Sequence, residues 1–211
     1  MLPMNEVPPT QTSALASSRG IVDSLRHMFR VIAASRVNYW LAYATDFACA
    51  AAFGYLGMRA GGAWYVAFAG LSSGAFAFSF VEYVLHRWAF HSGSLLSGEL
   101  HASHHHHPRQ PSALPFWSSA VSAPAFFWLL TQFMSAHVAH FALCGFFAAY
   151  LSYGVLHHLQ HSIRIKDIPF RWLRRKWAAH AVHHGRADVN FGVMTSLWDR
   201  VFGTYRAVAQ R

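Results

Sequence analysis

The sequence predicts an all-α integral membrane protein with four transmembrane helices, and three observations carry that prediction. Of its 211 residues, 54% are hydrophobic and only 12% are charged, against roughly 25% charged in an ordinary globular domain. Such a composition excludes both a solvated soluble domain and a disordered chain. Four stretches, 39–58, 63–85, 113–133 and 138–157, reach the length of about 20 predominantly apolar residues that a bilayer core requires of a helix. If these stretches span, every base of the seventeen except Arg59 falls on one side. Bases near span ends are retained on the cytoplasmic face, so both termini are expected in the cytoplasm. The net charge of +9 then marks topology, reinforced by anionic headgroups, rather than a nucleic-acid partner.

Residues 1–20 are rich in Pro and Ser, lack an apolar run long enough for a signal-peptide core, and are expected to form a flexible, uncleaved tail. Ile21, Val22, Leu25, Met28, Phe29 and Ile32 follow helical spacing, with Asp23, Arg26, His27 and Arg30 opposite. That pattern predicts an amphipathic helix lying on the membrane. The chain thus divides into a tail with an interfacial helix, 1–36, and a membrane domain, 37–211.

The first span carries Asp46 and the second Glu82. Gly70-Leu71-Ser72-Ser73-Gly74, in the second span, matches both the GxSxG nucleophile pattern and small-xxx-small helix packing. No strand precedes it, so packing is expected. Cys49 and Cys144 lie in apolar stretches and are read as small apolar side chains. Pro169 is expected to open a second interfacial helix, in which Phe170, Trp172, Leu173 and Trp177 alternate with Arg171, Arg174, Arg175 and Lys176.

The sixteen histidines gather into four boxes: HRWAFH (His86, His91), HASHH (His101, His104, His105), HHLQH (His157, His161) and HAVHH (His180, His183, His184). All four fall at or just beyond the cytoplasmic ends of spans two and four. At about 100° per residue, His157 and His161 share a helix face and can share one metal. His101 and His104 likewise share a face, with His105 turned away from His104, and the same holds for His180, His183 and His184. In a continuous helix His86 and His91 would point roughly 140° apart. No single ion collects all ten of these imidazoles, and their divergence fits two neighbouring metals.

His27, His137 and His140 are read as ordinary hydrogen-bonded side chains. His106 and His107 are read as accessory or solvent-facing, and His158 as turned to another face. The absence of HExxH excludes the zinc-protease arrangement, and the absence of Glu-x-x-His pairs excludes carboxylate-bridged bundles. Glu82, Asn190 and Asp199 are candidates to orient an imidazole from behind; no catalytic residue is expected beyond the metal ligands. The competing class is a metal transporter or sensor, but transporters place ionisable groups near the bilayer midplane, whereas these boxes sit at one face.

The boxes, followed by NFGVMTSLWDRVFGTY, resemble the fatty acid hydroxylase superfamily, which includes fatty acid 2-hydroxylases, sterol desaturases and carotene hydroxylases. The likeness covers roughly residues 82–205. It implies four spans under a cytosolic histidine-rich cap that holds a di-iron centre, and O2-dependent hydroxylation or desaturation of a lipid. Sterol-type members usually place three residues between the first two histidines. His86 and His91 enclose four, as in fatty acid 2-hydroxylases and carotene hydroxylases, and the ending is unlike the carotene branch.

The expected substrate is therefore a fatty-acyl or sphingolipid-type chain, with sterol or carotenoid chemistry as the alternative. Gly154, three residues before His157, departs from the acidic residue expected in fatty acid 2-hydroxylases, and no fused cytochrome b5 domain is seen. An unactivated C–H bond offers no acidic proton or polarised carbonyl, so a redox metal is required, and iron is preferred on that ground although imidazole suits several metals. With no GxGxxG or CxxC iron–sulfur spacing, electrons are expected from a separate carrier of cytochrome b5 or ferredoxin type with its reductase. Phe76, Phe78, Phe80, Trp117 and Phe127 are candidates for an acyl pocket, with core packing as their simpler role.

Overall fold

A computed structural model describes residues 9–93 and 95–207, apart from the side chains of 9–19. Helix is the only regular structure among the described residues. Helix α1 runs Pro9–Ala33 and α2 Arg36–Arg59. Helix α3, Trp64–Val84, continues directly into a π-helical turn, Leu85–Phe90. Helix α4 is Leu96–His106, α5 Trp117–Thr131 and α6 Ala136–Ser162. A 3-10 turn, Ile165–Asp167, leads to α7, Arg171–Gly185, and a short α8, Leu197–Val201.

Helix α1 begins with Pro9, whose fixed φ and missing N–H suit a first helical position, so residues 9–20 are helical where a flexible tail was expected. Residues 1–8 of that tail lie outside the described residues. The apolar face of α1 stays open: Ile21, Leu25, Met28 and Val31 are all more than half exposed. Its polar face meets α4 through an ion pair between Arg30 and Glu99.

The central helix is α6, which packs against α2, α3 and α5. Ser135 caps it by accepting from the Val138 amide, as Ser35 caps α2 through Asn38. The core joins Ala50 and Phe53 of α2, Ala123 of α5, and Leu143 and Phe147 of α6. The Phe53 and Phe147 rings stack at 6.1 Å. Cys49 and Cys144 are unpaired and pack against this cluster, consistent with their reading as apolar filler.

Backbone contact between α3 and α6 explains the glycine motif. A Cβ at Gly74 would overlap the Ala142 carbonyl, and one at Gly145 would overlap the Leu71 carbonyl. The five residues from Gly70 to Gly74 are thus a packing seam, and Ser73 merely bonds the Gly70 carbonyl of its own helix.

The helices differ from the four expected stretches in extent. Among the described residues two helices, Trp64–Phe90 and Ala136–Ser162, are long and apolar enough to cross a membrane by length and composition. The third stretch is helical only from Trp117, because Pro115 disfavours helix at Leu114 and has no amide to donate. The segment before α5 is held by Asn38 of α2, whose side chain donates to the Ala113 and Leu114 carbonyls and accepts from the Phe116 amide. Asp46 of α2 is likewise matched, accepting from Ser119 of α5. Large apolar side chains remain on the outside of all four helices, among them Phe47, Phe68, Trp128 and Val155.

Substituting Gly74→Leu should destabilise the protein by about 1–3 kcal/mol, the usual cost of overpacking a tight contact. Gly20→Ala, where an added Cβ meets nothing within 4 Å, should leave stability unchanged or slightly higher. Thermal unfolding of the detergent-solubilised protein compares the two.

Candidate metal centre

The ten histidines of the four boxes converge on two groups at one end of the bundle. His86, His91, His101, His105 and His183 form the first; His104, His157, His161, His180 and His184 form the second. Within each group, one ring nitrogen from each histidine lies within 4.8 Å of those of the others.

The π turn explains His86 and His91. A turn that closes i→i+5 rather than i→i+4 brings residues five apart onto one face, and these two rings stack with centroids 5.3 Å apart. The roughly 140° divergence of a continuous α-helix is therefore not realised. The spacing of two pairs also corrects the sequence reading. His101 joins His105, with Nε2 atoms 3.0 Å apart, while His104 turns to the other group. On α7, His180 and His184 stay together and His183 crosses over. His157 and His161 of α6 share a group as expected, with Nε2 atoms 3.3 Å apart. Both α4 and α7 thus serve both groups, and the stacked rings of His105 and His184, 4.4 Å apart, mark where the groups meet.

Two ring orientations are fixed from behind. His86 Nδ1 faces the Phe191 carbonyl and His183 Nδ1 the Val189 carbonyl at 2.8 Å. A carbonyl only accepts, so each Nδ1 carries the proton and each Nε2 presents a lone pair. His86 Nε2 lies 3.1 Å from His101 Nε2, and His183 Nε2 lies 3.2 Å from His91 Nε2. In the second group the buried Nε2 atoms of His104 and His184 have no hydrogen-bond partner. Converging lone pairs and orphaned ring nitrogens in a buried site are the donor pattern a transition-metal ion satisfies, and imidazole suits iron, zinc, copper and nickel. Neither group includes a carboxylate.

Burial, chiefly, and then neighbouring imidazoles hold these side chains neutral. The pKa of His101 is pushed down to about 2, those of His104 and His184 to about 3, and those of His91 and His183 to about 4. Burial also lowers His180 well below the usual histidine range. Metal binding requires the neutral form, so no proton has to be displaced from them near pH 7.

None of the three residues expected to orient an imidazole hydrogen-bonds one. They act a step further out, on the loop that supplies the Val189 and Phe191 carbonyls. Glu82 accepts from the Val193 and Met194 amides at 2.6 and 3.1 Å. Asp199 accepts from the Phe191 and Gly192 amides and from the Thr204 hydroxyl, all at 2.7–2.9 Å. Asn190, in the left-handed conformation at φ 54°, donates to the Ala179 and Arg206 carbonyls and accepts from the Arg206 amide.

Sequence reasoning missed the two loop carbonyls, for which backbone carries no residue-type signal. It also missed Lys176, which donates to the Met194 carbonyl, and Tyr83, whose hydroxyl meets Thr204 at 3.1 Å. Tyr83 follows Glu82 directly, and that adjacency was the available signal. Trp177 was expected at headgroup level but is buried and donates to the Ile163 carbonyl; the inner face of α7 must carry it to bring His180 and His184 inward. Phe170 and Trp172 remain exposed. His106, His107 and His158 are exposed, and His158 bonds Tyr39 at 3.0 Å. His137 faces the Gly57 carbonyl and His140 stacks on Phe127, both away from the centre. Phe78 and Phe127 pack with other core rings, whereas Phe76 and Phe80 flank Trp198.

Asp199→Asn and Glu82→Gln, one step behind the carbonyls that orient His86 and His183, should each lower metal affinity by up to about 10-fold, the low end of the cost of losing a group that bonds a ligand directly. Metal per chain, measured by elemental analysis after competition with a chelator, reads this directly while circular dichroism reports the fold.

Residues 71–204 match the family model described as fatty acid hydroxylase. A dihydroceramide fatty acyl 2-hydroxylase of Arabidopsis thaliana is 34% identical over 140 residues, which cover 62% of this chain and 58% of that protein. A ceramide very long chain fatty acid hydroxylase of Saccharomyces cerevisiae is 30% identical over 145 residues, covering 63% of this chain and 36% of that one. The chain thus spans under two thirds of the length of these relatives. The solved structure of full-length Scs7p, in which only the hydroxylase domain is visible, aligns with a TM-score of 0.69 at 21% identity, over 83% of this chain and 69% of that one, and so shares its fold. With the family model covering more than half of its length, all four histidine boxes included, the chain belongs to the fatty acid hydroxylase family.

Proposed function

We propose that the chain is an integral membrane hydroxylase that uses O2 and two iron ions to convert a C–H bond of a fatty-acyl or sphingolipid-type chain into C–OH, in lipid biosynthesis. The observation that carries this reading is the pair of five-imidazole groups side by side at one end of an apolar bundle. The relatives named above, which hydroxylate fatty acyl groups of ceramide type by their names, favour it over sterol or carotenoid chemistry and over metal transport.

His86, His91, His101, His105 and His183 would hold one ion, and His104, His157, His161, His180 and His184 the other. When bound, the pair supplies the reduction of O2 that an unactivated C–H bond demands, with one oxygen atom passing to the lipid and the other leaving as water. The protein's own part is to keep ten imidazoles neutral, to fix the ring orientation of His86 and His183 from the loop, and to hold the site at the end of a lipid-facing bundle. Electrons come from a separate carrier of cytochrome b5 or ferredoxin type with its reductase.

In this reading α2, α3, α5 and α6 cross the bilayer, with both termini and the histidine groups on the cytoplasmic side. Fifteen residues make α5 about 22 Å long at 1.5 Å per residue, short for a span, and the Asn38-bound segment from 113 to 116 completes it. Asn38 satisfies backbone groups that would otherwise be costly at that depth. The open face of α1 and the exposed Phe170 and Trp172 at the N-terminal end of α7 rest on the headgroups, with the bases of both helices beside anionic lipid.

Expressed in a host lacking such an enzyme, the chain should add one oxygen to a subset of acyl chains, read by mass spectrometry of total lipids. Loss of two hydrogens instead would replace hydroxylation by desaturation, and altered metal uptake with unchanged lipids would favour transport. His104→Ala or His183→Ala should abolish the product while the protein still folds into membranes. Retained product in either variant would sink the two-metal assignment.

A further inference from the structure

A cavity of about 240 Å³ opens against the first histidine group, bordered by His91 and His105. Beside Phe90 and His106, its walls are small residues, among them Gly93, Gly98, Ala102 and Ala187. Gly98 is required to be small, because a Cβ there would overlap the Ser92 carbonyl, so the first turn of α4 lies directly on the turn that follows the π helix. Through His104 the second group borders a smaller void of about 40 Å³. At roughly 30 Å³ per water, the larger space holds several waters and the smaller about one.

Charge makes the difference matter. Five neutral imidazoles and no carboxylate leave the full positive charge of a bound divalent ion uncompensated, and a bound cation is then the largest local charge in its site. An anion small enough to enter is drawn to it.

We propose that the cavity beside His91 and His105 is an aqueous vestibule through which small hydrophilic ligands, anions and anionic chelators above all, reach the ion of the first group, while the ion of the second is shielded. The proposal rests on the reading that each group holds one metal. It gives the two halves of the centre different accessibility although their donor sets are alike.

The test uses the full chain in detergent, loaded with cobalt(II). Elemental analysis first establishes two ions per chain, and a lower count would refute the two-metal reading itself, separately from the vestibule. Azide should then perturb the visible spectrum of one of the two cobalt ions. Dipicolinate should remove cobalt in two phases with rates at least roughly tenfold apart. Ala102→Phe and Ala187→Phe, which fill the vestibule, should slow the fast phase by roughly tenfold, whereas Ser112→Phe, beside the smaller void, should leave both phases unchanged. A single phase, an equal azide response of both ions, or a fast phase indifferent to both filling variants would overturn the proposal. Should the filling variants fail to load two ions, the azide and chelation results on the unmodified chain decide it.

Discussion

Two nitrogen lone pairs facing each other at hydrogen-bond distance repel unless a proton or a cation lies between them, and burial removes the water that would otherwise intervene. Ten imidazoles under that constraint shape one whole end of this molecule. A proton on every ring would be the soluble solution, but burial forbids ten adjacent positive charges, and the lowered pKa values of His101, His104 and His184 express that prohibition. Carboxylates nearby would compete for the same positive charge. They are instead set back on the loop at Val193 and Phe191, where they bind amides. The fold therefore retains a cluster that is unsatisfied by itself and that a metal ion would satisfy.

A reciprocal use of two helices solves the problem of supply. In each HxxHH box the first and last histidines lie one turn apart and stay together, and the middle one points to the neighbouring group. Because α4 sends its pair to the first group and its single histidine to the second, while α7 does the reverse, each group receives three rings from these two helices. The remaining two come from a spaced pair, His86 with His91 or His157 with His161. Two boxes of the same sequence pattern thus build two sites of the same composition, in one compact centre.

The ten histidines and their division into two groups are legible in the sequence, as are the seam at Gly70 and Gly74 and the long apolar helices. Their grouping is less so. At about 100° per residue, i+3 and i+4 neighbours lie 60° and 40° from the first position, on opposite sides of it; periodicity alone does not say which of His104 and His105 stays with His101. That choice is made by what lies across from α4, namely α6 on one side and the π turn on the other. The roles of Glu82 and Asp199 were misplaced for a related reason. Glu82 stands one helical turn before His86, which suggests a direct bond, whereas its carboxylate reaches a loop more than a hundred positions away, and Asp199 holds the same loop. The boundary of α5 was hidden by an apolar run that continues through Pro115, since hydropathy registers the side chains of residues 113–116 but not the missing amide.

The π turn changes what histidine-box spacing means. One additional residue between His86 and His91 is absorbed by local widening of the helix, which leaves α3 in register behind it and returns His91 to the face that His86 occupies. A chain with one residue fewer can make the same juxtaposition with an ordinary α-helical turn. Box lengths that differ by one residue are therefore interchangeable solutions for delivering two nitrogens to one ion. Their difference records the winding of a single helical turn and carries no information about substrate.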